Sequence, residues 1–128
     1  MANVIRFKNN NYLFGTIFEK GQNENGNYIK FTDGTLIQWN TITVTDQAIN
    51  SVYGNLYQGT RIITFPIPFI NGYYSAHCSQ FQYGTAATWG AVVNRDTNST
   101  MTIRGFDAYS RASGTRTSIS WFAIGYWK

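Results

Sequence analysis

The sequence is short of the residues that build cross-links, metal centres and charged surfaces. Of its 128 residues, one is Cys, one is His and two are Pro, and only 12% are charged. A single cysteine cannot form a disulfide within one chain. One Cys and one His also cannot supply the roughly four N or S ligands of a zinc site, so we expect no metal and no cofactor. An average protein has about 25% charged residues, so neutral polar groups must cover this surface.

Long apolar runs and concentrated charge are also missing. No segment approaches the ~18 apolar residues of a membrane span, so we expect no membrane insertion. Residues 1–6 lack the features of a signal peptide, and we expect synthesis in a cytoplasm without export by that route. Ten basic and six acidic residues give a net charge of +4. The basic residues are scattered, so no nucleic-acid partner is expected. A mild positive charge suits an anionic surface polymer such as a teichoic acid.

Strand-forming residues dominate the sequence, and 17% of all residues are aromatic. Apolar residues do not recur at helical spacing over any long stretch, whereas turn signals recur at short intervals. We therefore predict an all-β protein, an antiparallel β-sandwich of about six to seven strands. Residues 1–26, rich in Asn and Gly near their end, are interpreted as a short N-terminal arm and linker. Residues 27–128 form the predicted head domain.

The clearest predicted element is a β-hairpin over residues 28–39, in which two alternating runs flank the Asp-Gly pair at 33–34. Beyond Trp39, which is assigned to the core, the alternation changes phase. This change predicts a bulge near residues 40–41. Residues 46–59 show no regular pattern and are expected to be irregular. Further strands are predicted over residues 60–65, 73–83, 88–94, 101–108 and 117–127.

The last predicted strand is apolar on both faces. Trp121 falls in phase with the core, whereas Phe122 and Ile124 fall on the opposite face. A two-sheet sandwich buries only one face of each strand, so the second face needs a cover. The N-terminal arm or another subunit would supply it, and we favour a subunit interface.

Three segments resemble the C-terminal head domain of bacteriophage tail fibres and minor structural proteins. They are NGNYIKFTDGTLIQW at 25–39, ITFPIPF at 63–69 and SISWFAIGYWK at 118–128. The first segment most resembles the corresponding segment in tail proteins of phages and prophages of Gram-positive bacteria. The resemblance implies a receptor-binding protein at the virion tail tip, made in the host bacterial cytoplasm. The arm would contact other virion tail proteins.

The last two segments are also similar to the H-type lectins, which are trimeric six-stranded sandwiches that bind galactose-type sugars. That resemblance implies a homotrimer. It also places the lectin sugar pocket at Trp89, Tyr109 and Ser110, counted back from the shared motif. The aromatic character is retained at Tyr109, whereas the arginine and histidine of the lectin pocket are not retained.

A candidate ligand site follows from the residues themselves. Sugar sites combine a flat aromatic face with planar polar side chains that bind hydroxyls. Alternation places Asp107, Tyr109 and Arg111 on one face near a strand end. Trp89 follows small residues, which would leave its indole open. The alternatives are a solvated loop with a local Asp–Arg pair and, for Trp89, a core or interface aromatic.

Catalysis has little support in the sequence. The acids are dispersed, and no phosphate loop, nucleophile elbow or metal motif occurs. Adjacent strand residues face opposite ways, which argues against a His77–Cys78 dyad. His77 is either a surface residue or one of three copies meeting at a trimer axis. We therefore predict non-catalytic recognition of a cell-surface polysaccharide or teichoic acid, the alternative being a structural trimerisation or capping head without a ligand.

Overall fold

The structure, a computed structural model, describes residues 15–128, which form β-strands and no helix. No helix that could cross a membrane is therefore present among these residues. The strands are β1 (Ile17–Asn23), β2 (Gly26–Phe31), β3 (Thr35–Val44), β4 (Ser51–Tyr53), β5 (Leu56–Thr64), β6 (Ser75–Tyr83), β7 (Trp89–Asn94), β8 (Thr100–Asp107) and β9 (Thr117–Tyr126).

The strands form two antiparallel sheets, which confirms the prediction of an all-β sandwich. The five-stranded sheet has the order β1-β2-β3-β9-β6, and the four-stranded sheet has the order β4-β5-β8-β7. The described residues thus contain nine strands rather than six or seven. The two additional strands at the edges, β1 and β4, are short or exposed and give weak sequence signals.

The expectation that residues 46–59 are irregular is wrong. They contain β4 and the first part of β5, joined by a tight turn in which Gly54 has a φ of +60°. The three residues of β4 are all exposed, so they show no alternation of buried and exposed positions. Without that alternation the strand cannot be recognised from its pattern.

The hairpin between β2 and β3 is confirmed. Gly34 has a φ of +101°, a conformation that glycine adopts without steric cost. The Asp33 carboxylate accepts a hydrogen bond of 2.9 Å from the backbone N–H of Thr35, which fixes the turn. β2 then pairs with β3 in continuous register from Lys30 opposite Leu36 to Asn27 opposite Trp39.

The predicted bulge near residues 40–41 and the placement of Trp39 in the core are both wrong. β3 pairs with β9 without interruption from Thr35 to Val44. Its buried face begins with Leu36 and Gln38, so Trp39 is half-buried on the outer face. Gln38 is tolerated in the core because its amide donates to the Ile67 carbonyl (2.9 Å) and accepts from the Ile67 N–H (3.0 Å).

The core lies between the two sheets and includes Trp121, as predicted. Phe81 packs where the sheets approach closely: a Cβ added at Gly105 would lie 2.3 Å from its ring. A Cβ at Gly90 would lie 2.7 Å from the Phe81 Cβ, so both glycines are required for this approach. The buried apolar residues are Leu36, Ile49, Ile63, Phe65, Phe69, Tyr74, Phe81, Met101, Ile103, Ile119, Trp121 and Ala123.

The N-terminal segment interpreted as an arm, residues 1–26, is described only from residue 15. Its part Ile17–Asn23 is β1, which pairs with β2 at the edge of the five-stranded sheet. A shift in pairing register lies between Ile17 and Glu19. Residues 1–14 of the predicted arm lie outside the described residues.

Candidate functional site

The candidate site lies at one end of the sandwich, where four connections meet. These are the β4–β5 turn, the β6–β7 loop, the β8–β9 loop and the β3–β4 connection, whose Thr45 and Ile49 are hydrogen-bonded to Gly114 and Arg111. This end of the molecule is called the loop end. All the candidate ligand residues predicted from the sequence lie at or beside this end.

Asp107 is the last residue of β8 and faces the interior, with 1% of its surface exposed. Its carboxylate accepts hydrogen bonds from the Tyr109 backbone N–H (2.8 Å) and from Nε of Arg111 (3.0 Å). Arg111 Nη2 adds a longer contact of 3.4 Å. Asp107 is therefore occupied in shaping the loop and is closed to a ligand.

Arg111 ties the β8–β9 loop to the body of the protein. Its backbone exchanges two hydrogen bonds with Ile49, of 2.8 and 2.9 Å. Its guanidinium carbon lies 5.8 Å from the ring centre of Tyr83 and 5.5 Å from that of Tyr109. The Tyr83 hydroxyl also donates to the carbonyl of Ala112 at 2.6 Å. The loop is thus held at several points rather than free.

Tyr109 is the exposed member of this group, with 70% of its surface accessible. The adjacent Ser110 is also exposed. The structure therefore brings Asp107, Tyr109 and Arg111 together but gives them different positions, rather than one shared face. Asp107 lies inside, Arg111 is half-buried and Tyr109 faces solvent.

Trp89 lies on a separate part of the loop end. It is the first residue of β7, pairs with Phe106 across the strands, and is 48% exposed. The two rings stack with centres 6.0 Å apart at 21°. In the described residues, no hydrogen bond, ion pair or ring contact joins Trp89 to the Asp107–Arg111 group. Its indole also lines an open cleft of about 330 Å³ between the β6 and β7 edges.

Phe106 continues the contact to Tyr53, whose ring centre lies 5.5 Å away in an edge-to-face arrangement. Trp89, Phe106 and Tyr53 thus form a row across the outer face of the four-stranded sheet, here called the aromatic strip. Tyr53 is not among the residues predicted from the sequence, because it lies in the segment expected to be irregular. The sequence signal that could have identified Tyr53 is an aromatic residue directly before a glycine, Gly54, in a probable turn.

Arg104 lies beside the aromatic strip. Its guanidinium carbon is 5.1 Å from the ring centre of Tyr53, within the range of a cation–π contact. Its Nε is buried without a hydrogen-bond partner, and the Oε1 of Gln58 is in the same condition. Both side chains belong to the outer face of the four-stranded sheet.

His77 and Cys78 lie away from the loop end and point in opposite directions. His77 is exposed and stacks on Phe122 with ring centres 4.8 Å apart. Cys78 points inward, and burial raises the pKa of its thiol. His77 also lines an open cleft of about 480 Å³ together with Arg95. Within residues 15–128, no three acidic, His or Cys side chains cluster as a metal site would require.

The class of protein follows from comparison with known families. The family model for the C-terminal domain of gp53-like tail fiber proteins matches residues 30–126. The chain belongs to this family. The tail-fiber domain is thus a component of a virion tail.

A solved structure has the same fold as the tail-fiber domain. It is the structure of the P. aeruginosa R1 pyocin fiber comprising C-terminal residues 323-701, with a TM-score of 0.56 and 19% identity. The match covers 84% of the tail-fiber domain chain and 28% of the fiber chain, so the domain corresponds to a minor part of that fiber. None of the curated protein sequences matches the tail-fiber domain.

Proposed function

We propose that the tail-fiber domain is a phage receptor-binding protein that recognises a glycan on the bacterial cell surface without catalysis. The observation that carries this proposal is the presence of three exposed aromatic side chains at the loop end. Tyr53 is 50% exposed, Trp89 48% and Tyr109 70%. Aromatic rings left in water at one end of a domain suit a sugar, whose apolar C–H face packs on a flat ring.

The polar part of this site comes from the β8–β9 loop. Ser110 is exposed, and the Arg111 side chain, half-buried between Tyr83 and Tyr109, supplies N–H donors beside them. In this proposal Asp107 positions the loop and does not contact the sugar. The partner is a cell-surface polysaccharide or teichoic acid. The resemblances to tail fibres of Gram-positive phages and to H-type lectins support this choice of partner.

The domain acts as a homotrimer in this proposal. The outer face of the five-stranded sheet carries Trp39 and Ile124 half-buried and Phe122 exposed, which suits a contact with another copy of the chain. Three weak sites on one trimer, multiplied over several fibres, would raise avidity by roughly 10²–10⁴. Residues 1–26 would join the head to other tail proteins at the tail tip.

The second candidate is a structural head that trimerises or caps a fibre and binds no glycan. The same uncharged face of the five-stranded sheet favours it, because self-association alone explains that face. The two candidates differ at the loop end. A structural head has no need for exposed aromatic rings there, unless they too are covered in the assembly.

The test is binding of fluorescent tail-fiber domain to a panel of Gram-positive cells before and after periodate oxidation. We expect selective binding that oxidation abolishes. Trp89→Ala and Tyr109→Ala should each weaken it about tenfold, whereas Tyr73→Ala, an exposed tyrosine just before β6, should not. Unchanged binding by both folded site variants would exclude this site. Absence of binding to every strain would favour the structural head, and binding that resists oxidation would exclude a periodate-sensitive glycan as the receptor.

A further inference from the structure

The outer face of the four-stranded sheet carries an arginine without an acidic partner. Two arginines in residues 15–128 form ion pairs with carboxylates: Arg61 with Asp46 and Arg111 with Asp107, both at 3.0 Å. Arg104 has no ion pair in that part of the chain, and its Nε lacks a hydrogen-bond partner. We propose that Arg104 binds the negatively charged group of an acidic saccharide, an inference that rests on the proposed function.

Arg104 is half-buried, and small neighbours leave part of its guanidinium accessible to a ligand. Its cross-strand neighbours are Ala91 on β7 and Thr60 on β5, both short and exposed. Tyr53 holds the guanidinium from one side, at 5.1 Å from its ring centre. A planar guanidinium held on a ring presents fixed N–H donors, which match the paired oxygens of a phosphate or carboxylate.

None of the described carboxylates forms an ion pair with Arg104. Asp107, the acid nearest in sequence, is turned into the core and held by Arg111. Asp96 lies beside Thr102, the next outward residue of β8, and its carboxylate accepts hydrogen bonds of 2.6 Å from the Thr102 hydroxyl and the Asn94 amide. The other outward residues of the three longer strands are neutral; they include Leu56, Gln58, Thr60, Ile62, Thr64, Trp89, Ala91, Asn94, Thr100, Thr102 and Phe106.

The aromatic strip forms the second part of the proposed binding site. Trp89 and Phe106 stack at 21°, so together they present rings next to the cation on the same surface. A saccharide can pack its apolar face on these rings while its charged substituent reaches Arg104. The unpartnered Oε1 of Gln58, opposite Phe106 in the sheet, provides an acceptor for a hydroxyl group once a ligand displaces the side chains around it.

A single-stranded nucleic acid also combines negative charge with flat rings. Such ligands, however, bind along a row of cations that neutralise successive phosphates. Among residues 15–128, Arg104 is the one cation on the outward side of the four-stranded sheet. One cation beside a row of rings fits a polymer with widely spaced charges, such as a saccharide with one phosphodiester or one carboxylate per repeat.

The test compares Arg104→Met with Arg116→Met, which removes the same charge from an exposed arginine that precedes β9. The probe is a bacterial strain that the wild-type protein binds. We expect Arg104→Met to bind about ten- to a hundredfold more weakly, and Arg116→Met to bind as wild type. Arg104→Lys retains charge without the planar fork and should lie between them. Circular dichroism and the melting temperature confirm that each variant is folded.

Treatment of the same cells identifies the source of the negative charge. Hydrofluoric acid cleaves phosphodiesters, and carbodiimide coupling to an uncharged amine blocks carboxylates. Loss of binding after either treatment supports the proposal and names the charged group. Equal binding by Arg104→Met and Arg116→Met overturns it, as does binding that survives both treatments. If a single-stranded oligonucleotide competes with the cells for the wild-type protein, and this competition requires Arg104, the proposal is overturned in favour of a nucleic-acid ligand.

These outcomes separate the inference from the proposed function. If Trp89→Ala and periodate abolish binding while Arg104→Met does not, the domain recognises a neutral glycan and only the inference fails. If no variant and no treatment changes binding, the glycan-binding function fails with it.

Discussion

The two outer faces of the sandwich share the same backbone geometry and differ in chemistry. The face of the five-stranded sheet is uncharged at its centre and mostly aliphatic. The face of the four-stranded sheet combines aromatic rings with an amide and a guanidinium. The central residues of the first face are Ile29, Ile37, Trp39, Phe122 and Ile124. Those of the second face are Tyr53, Gln58, Trp89, Arg104 and Phe106.

This difference shows how one fold can separate two tasks. A permanent contact between copies gains most from apolar area, because hydrophobic burial needs no directional partner. A reversible ligand contact needs groups that also specify orientation, and the rings, amide and guanidinium of the second face do so. The core between them serves both faces, so either can change without repacking the other.

The largest effect that tests this comparison is expected from Phe122→Glu. Phe122 is exposed in the single subunit, so the variant should fold. In a trimer the same position would bury an unpaired carboxylate, and we expect association to weaken by about a hundredfold or more. Analytical ultracentrifugation over a concentration series measures this change.

Ile62→Glu is the matched control, because Ile62 is exposed on the opposite outer face and gains the same charge. It should self-associate as the wild type does. If the trimer tolerates Phe122→Glu, or if only Ile62→Glu disrupts it, the outer face of the five-stranded sheet is not the self-association surface.

The next largest effect is expected from Asp107→Asn, which acts on the loop end alone. Asp107 is buried, and the loss of its charge leaves Arg111 without a counter-ion. We expect the free energy of unfolding to fall by about 2–3 kcal/mol. Asp46→Asn breaks the pair with Arg61, but the Asp46 side chain is 74% exposed, so its loss should cost at most about 1 kcal/mol. Urea unfolding of both variants gives the comparison, and equal losses would contradict the structural role of Asp107.

A pair of tryptophan variants sharpens the comparison further. Trp89→Ala should weaken cell binding about tenfold and leave self-association unchanged, whereas Trp39→Ala should weaken self-association and leave the intrinsic affinity of each site unchanged. The physical reason is position, since the two indoles lie on opposite outer faces. Single-site affinity is read with a soluble glycan fragment, and assembly by light scattering. The same response of both variants in both measurements would remove the distinction between the faces.

The smallest effect concerns Cys78, which points inward between the two faces. Because burial raises the pKa of its thiol, less thiolate is present at pH 8 than in an unfolded chain. Alkylation by iodoacetamide should therefore be severalfold slower in the folded protein than in urea, and should accelerate as the pH rises. Mass spectrometry of quenched samples measures the rate. Equal rates in both states would show that the thiol is open to solvent.

Local patterns were sufficient for the elements whose buried faces are apolar. The β2–β3 hairpin follows from one Asp-Gly turn, and the strand predicted over residues 101–108 lies within one residue of β8 (Thr100–Asp107). The phase of β3 was misjudged because Gln38 occupies a core position. A buried amide reads as solvent-exposed in a sequence, and only the folded chain shows that the Ile67 backbone satisfies both of its polar atoms.

The candidate site was predictable in part for a similar reason. Tyr109 and Arg111 lie near Asp107 along the chain, so spacing alone brought them together. Tyr53 and Arg104 are 51 positions apart, and their contact depends on the pairing of β5 with β8. Register between distant strands is set by the packing of the whole sandwich, and a single sequence contains no local signal for it.

The position of β9 also sets the order of events while the protein is made. The strand is the last of the nine in the described residues, yet it lies inside its sheet, between β3 and β6. The ribosome must therefore release β9 before β3 gains its second neighbour and β6 its first. Until then the nascent chain exposes the edges of these two strands and lacks the β9 residues of its core, Ile119, Trp121 and Ala123. The sandwich is completed only once β9 has been released, and the chain is most prone to aggregation just before that point.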